Sequence, residues 1–91
     1  MTLLELSDIL NVDIVIRRYA NQNGRYMARF DKAEVKENEG SVGLLGEFGN
    51  GKTAIGAMNN YASRISGKWL VIGALSDNRR EFGVPASMEN V

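Results

Sequence analysis

SVGLLGEFGNGKTAIGAMNNYASRI, residues 41–65, is the stretch on which the reading of the whole chain turns. It reads as strand, Gly-rich turn, helix. The apolar run Ser41 to Phe48, with Val42, Leu44, Leu45 and Phe48, predicts a strand ending in Gly49-Asn50-Gly51. Beyond Thr53 the residues Ile55, Met58, Tyr61, Ala62 and Ile65 recur at helical spacing. Gly46 to Thr53 also spells the phosphate-loop pattern G-x-x-x-x-G-K-T. In that reading the amides from Gly49 to Thr53 cradle phosphate, Lys52 reaches the terminal groups and the Thr53 hydroxyl binds magnesium. In the plainer reading Gly49 and Gly51 make a tight turn and Thr53 caps the helix. Architecture favours the plainer one: a triphosphatase of this type needs a parallel sheet of several βαβ units, and 91 residues with an early hairpin have no room for it. Gly49, Gly51, Lys52 and Thr53 then stay as candidates for simple anion binding at a helix start.

Downstream, Gly67 predicts a left-handed helix cap, Lys68 to Ala74 a buried apolar strand that includes Trp69 as a core residue, and Arg79 to Val84 a short edge strand stopped by Pro85. Residues 86–91 carry no structural signal and are expected to fray. Upstream, Lys32 to Gly40 is a charge run that reads as a solvated connection, with a short extension around Glu34 to Lys36. Asp13 to Ala20 and Arg25 to Asp31 read as two strands joined by Asn21-Gln22-Asn23-Gly24, a hairpin signal. A type I turn with Gly24 as the left-handed residue sets a register in which Ile14 and Ile16 share a face with Ala28 and Phe30. Val15, Arg17, Tyr19, Met27 and Arg29 then share the other. Thr2-Leu3-Leu4-Glu5 has the spacing of a capping box and opens a short helix running to about Leu10, which Asn11 can end.

Composition excludes several function classes. There is no Cys and no His, so disulfides, thiolate or histidine metal sites, a thiol nucleophile and a Ser-His triad are all ruled out. No metal and no cofactor are expected. Eleven basic and eleven acidic residues cancel, which argues against bulk electrostatic attachment to nucleic acid or anionic membrane. The N-terminus lacks a basic region followed by an apolar one, and no apolar run approaches spanning length, so the expectation is a cytoplasmic protein with no membrane partner.

The fold expected is α+β in a single domain over residues 1–91. An antiparallel sheet of three to five strands, in the order β-β-β-α-β, carries one main helix on one face and a short N-terminal helix. Ile55, Met58, Ala62 and Ile65 are expected in the core, against Ile14, Ile16, Phe30, Leu44 and Leu70 or Val71. One principal helix covers one sheet face. Arg17, Tyr19, Met27 and Arg29 on the other mix apolar, aromatic and Arg groups as interface hot spots do, and form the expected partner-binding or homodimer surface. Arg17, Arg18, Arg25, Arg29 and Lys32, together with Tyr19 and Tyr26, also form a basic cluster that could bind phosphates and stack on bases.

Asn21-Gln22-Asn23-Gly24-Arg25, Gly49-Asn50-Gly51-Lys52-Thr53, Ala57 and Tyr61 in the helix, Ile65-Ser66-Gly67-Lys68 and Arg79-Arg80-Glu81-Phe82 together resemble a family of small uncharacterised proteins encoded by tailed phages and prophages. The order of elements is similar, in topology, to HicB-like antitoxins and to double-stranded-RNA-binding domains. The phage resemblance implies a small non-enzymatic binder that occupies a surface on a host or phage macromolecule, such as an inhibitor of host defence, in the bacterial host cytoplasm. Nucleic-acid binding through the basic hairpin face is the alternative, and nucleotide binding by the GEFGNGKT loop a remote one.

Overall fold

Thr2 opens α1 (Leu3–Leu10) with the two reciprocal bonds that its spacing predicts. Its hydroxyl accepts from the Glu5 amide at 3.2 Å, and its own amide donates to the Glu5 carboxylate at 3.0 Å. Asn11, at φ 53°, ends the helix, and Leu3, Leu6 and Leu10 enter the core. The computed structural model describes all of residues 1–91. After α1 come β1 (Ile14–Tyr19), a single 3-10 turn (Ala20–Gln22) and β2 (Arg25–Phe30). They are followed by β3 (Ala33–Lys36), β4 (Gly49–Gly51), α2 (Ala54–Ile65), β5 (Trp69–Ile72) and β6 (Arg80–Gly83). The fold is α+β, with a short N-terminal helix, one main helix and antiparallel strands.

The strands divide into two three-stranded sheets, ordered β1-β2-β4 and β3-β5-β6, where a single sheet was expected. Lys32 is the bend between them. Its backbone is left-handed at φ 55°, which turns the chain out of β2 and into β3, and its carbonyl accepts from the Gly73 amide at 3.0 Å. The hairpin has the expected register, with Ile14 opposite Phe30, Ile16 opposite Ala28 and Arg17 opposite Met27; Asn23 and Gly24 are both left-handed. Gly67, also left-handed, follows the α2 cap and donates to the Pro85 carbonyl at 2.8 Å.

The Ser41 to Phe48 run is not a strand. Gly43 and Gly46 interrupt it, each raising the entropic cost of an extended ladder. Only Leu45 pairs, in an isolated antiparallel bridge to Val35 at 2.9 and 2.8 Å. The third strand of the first sheet is instead Gly49–Gly51, the segment read as a turn. It can lie flat because its glycines have no side chains between it and α2. A Cβ on Gly49 would fall 2.2 Å from the Ala57 carbonyl oxygen, and one on Gly51 would fall 2.4 Å from the Ala57 nitrogen.

That close approach rotates α2. Ala57, Met58, Tyr61, Ala62 and Ile65 are buried, but Ile55, expected in the core, is 56% exposed at the margin of the helix's buried arc. Because α2 lies over β2 and β4, Ile16 on β1 is also left 40% exposed, and Leu44 is only half-buried. Tyr61 and Phe30 meet edge to face, with ring centroids 5.6 Å apart.

Leu70 and Ile72 face the common core, while Val71 is buried on the outer face of the second sheet. Trp69 shares that outer face, its indole lying on Gly83, rather than the core expected for it. Lys36, read as part of a solvated run, is 6% exposed: its ammonium meets the Glu81 carboxylate at 2.6 Å and donates to the Glu39 carbonyl at 2.8 Å. Residues 86–91, expected to fray, are tied down. The Glu89 carboxylate pairs with the Met1 ammonium, the Glu89 amide donates to the Met1 carbonyl at 2.8 Å, and the Val91 amide donates to Asn59 Oδ1 at 2.7 Å.

Candidate partner-binding face

Strand alternation sends Ala28 and Phe30 into the core under α2 and turns Val15, Arg17, Tyr19, Arg25, Met27 and Arg29 to the opposite face. The four residues expected to bind a partner are therefore brought together. Arg17 and Met27 are directly opposed across the ladder, and the Tyr19 hydroxyl reaches the Met27 sulfur at 3.9 Å. The Arg17 guanidinium carbon stands 5.5 Å from the centre of the Tyr19 ring, within cation–π range. Arg29, two residues along from Met27, bonds the Phe30 carbonyl through Nε at 3.4 Å. Tyr19, Met27 and Arg29 are half-buried, and Arg17 is exposed.

The same pleat extends the face to residues not in that group of four. Arg25 lies opposite Tyr19, and Asn50 of β4 lies opposite Met27. Arg25 was legible from its two-residue spacing to Met27. Asn50 was not, because its segment read as a turn. Of the wider basic cluster, Arg18 and Tyr26 fall on the other face, where the Arg18 guanidinium lies over Gly24. Lys32 is the bend itself, past the end of β2. From Ile14 to Phe30 the chain holds four arginines and no acidic residue, so a neutral protein carries a hairpin of formal charge +4.

The Gly49 to Thr53 segment has a different geometry from a phosphate cradle. Gly49 and Gly51 pair with Ala28 and Tyr26 in the ladder, and the Asn50 amide donates to Asn60 Oδ1 at 2.9 Å. These amides run along an extended strand instead of converging on a concave turn. Thr53 is the N-cap of α2, its hydroxyl accepting from the Gly56 amide at 2.9 Å, and Lys52 is exposed beside it. Both sheets are antiparallel, unlike the sheet behind a phosphate loop. No helix is long and apolar enough to cross a membrane. No protein-family model, curated protein or solved structure matches the chain.

Proposed function

We propose that this chain is a non-enzymatic binding protein that lays the open face of its hairpin sheet on another protein and works by occupying that surface. The observation that carries the reading is the contact between Arg17, Tyr19 and Met27 on the face turned away from α2. Aromatic and Arg residues dominate interface energetics, and side chains already ordered against one another lose less entropy on binding. The three arginines of that face, Arg17, Arg25 and Arg29, outnumber the Asp13 and Asp31 carboxylates at its end and favour a partner whose contact surface is acidic. The resemblance to phage-encoded proteins supports a host or phage target, with obstruction of host defence as the effect. The absence of His and Cys supports a role without catalysis.

The test is capture from nuclease-treated host lysate, comparing the parent with the Tyr19→Ala, Arg29→Ala double variant. The parent should retain a stoichiometric protein. The variant should weaken its binding by at least roughly 30-fold, as expected for loss of a hot-spot residue, with an unchanged thermal midpoint. Equal capture by both would place the binding surface elsewhere.

Three arginines on one face beside Tyr19 also support a second reading, single-stranded nucleic-acid binding by phosphate contacts and base stacking. Its signature is affinity that falls steeply with salt and falls less steeply after Arg17→Ala. Capture that survives nuclease and shows no such slope would exclude it.

A further inference from the structure

The two edges of the first sheet are finished differently. On β4 the outward Asn50 amide is taken by Asn60 Oδ1, which also accepts from Arg64 Nε at 3.0 Å, and Arg64 pairs in turn with Glu47 at 3.4 Å. That edge is closed by side chains of α2. The β1 edge is open. The Asp31 amide donates to the Asp13 carbonyl at 2.9 Å, which makes Asp13 and Asp31 a hydrogen-bonded pair of the antiparallel ladder. By alternation Val15, Arg17 and Tyr19 also turn their backbone groups toward β2, and Ile14, Ile16 and Arg18 turn theirs outward. β1 has β2 as its one strand neighbour, and no side chain bonds its backbone. Ile16, at the midpoint of those three residues, is also exposed.

We propose that β1 pairs with β1 of a second copy of this chain, antiparallel about a two-fold axis at Ile16, joining two three-stranded sheets into one. The register follows from the backbone. Axes on Val15, Ile16 or Arg17 all bring outward groups to outward groups, and the Ile16 axis uses all three outward residues of β1. Ile14 then opposes Arg18 of the second copy, Ile16 opposes Ile16 and Arg18 opposes Ile14, each pair exchanging both of its bonds. A Val15 axis would spend Arg18 on Val12, whose backbone is already bonded to Ser7. Side chains agree with it. The two exposed Ile16 side chains meet on the α2 face. On the open face Arg17 opposes Val15 of the second copy, with that copy's Asp13 and Arg17 as its two diagonal neighbours, and Tyr19 lies opposite the aspartate. Centring the axis on Arg17 instead would oppose two arginines. With the other edge closed by Asn60, growth ends at two copies. The pairing goes beyond the binding reading and stands whatever the open face binds.

Sedimentation of the purified chain at high micromolar concentration tests it without any partner. The parent should sediment at twice the 10.0 kDa chain mass, and Ile16→Lys, which brings two ammonium groups together at the axis, should sediment at the chain mass with an unchanged far-UV spectrum. The chain has no Cys, so an introduced thiol is unique. Hydrogen-bonded antiparallel residues have Cα atoms about 5.5 Å apart, within disulfide range. Ile16→Cys should therefore convert to a covalent dimer under mild oxidation, and Ser63→Cys, exposed on α2, should not. This second readout also decides the matter if Ile16→Lys fails to fold. A parent at the chain mass, a larger assembly, a dimer that survives Ile16→Lys in a folded protein, or equal cross-linking at residue 63 would each overturn the proposal. In the first case the edge would be left to a strand from another protein.

Discussion

Tyr61 sits where α2, β2 and β4 converge, and burial pushes its phenol up from 10.0 to about 12. A backbone hydrogen bond from Phe30 and the nearby charge of Arg29 pull the other way without cancelling this. The unfolded chain therefore releases the proton first, and stability that is complete below pH 10 is lost as pH rises toward 12. The difference corresponds to roughly 3 kcal/mol. Denaturant titrations across that range should show the loss in the parent and a flatter profile in Tyr61→Phe. Of the residues that matter most, Tyr61, Phe30 and the cap Thr53 were legible because periodicity and spacing mark them. Lys36 was not, because burial of an ammonium depends on Glu81, forty-five positions away in the chain and one strand beyond its neighbour β5.

Of the elements read from local signals, the capped α1, the hairpin in its register, α2 with its Thr53 cap, and β5 formed, and the Ser41 to Phe48 strand did not. β4 escaped because strand propensity disfavours glycine, while the requirement for glycine here is set by the helix that packs on it. Gly49 is accordingly the sharpest test of the fold. Its added methyl would meet Ala57 and Tyr61 backbone atoms at 2.2 and 2.3 Å, and backbone cannot swing aside. Gly49→Ala should cost about 3 kcal/mol or more in chemical denaturation, whereas Gly46→Ala, with nothing near the new methyl, should be close to neutral. On the outer face of the second sheet, Lys36 and Arg79 hold the Glu81 carboxyl below its ordinary value of 4.5. Its contribution is therefore present above pH 4.5 and is lost as pH falls through the lowered value. Glu81→Ala strands a buried ammonium and should lower the thermal midpoint more than Lys36→Met, which replaces the ammonium with an apolar group.

Across the whole molecule the α+β class was legible and its division into two sheets was not, since the division depends on one left-handed residue, Lys32, in an ordinary-looking charge run. The candidate face was legible to the extent that alternation fixes it; the open β1 edge beside it became visible only once Asn60 was seen to close the other. The pairing of β3 with β5 also bears on the order in which the molecule assembles. The β1-β2 hairpin and the β4-α2 unit are each made of neighbouring residues, and the chain between Lys36 and Trp69 must be looped before the second sheet can begin. Loop closure costs entropy before the contacts return it, so the second sheet is expected to form on the downhill side of the folding barrier. In stopped-flow chevrons Val35→Ala should then speed unfolding and leave the refolding rate unchanged, while Ala57→Gly in α2 should slow refolding. Refolding slowed equally by both would place closure of the second sheet within the nucleus.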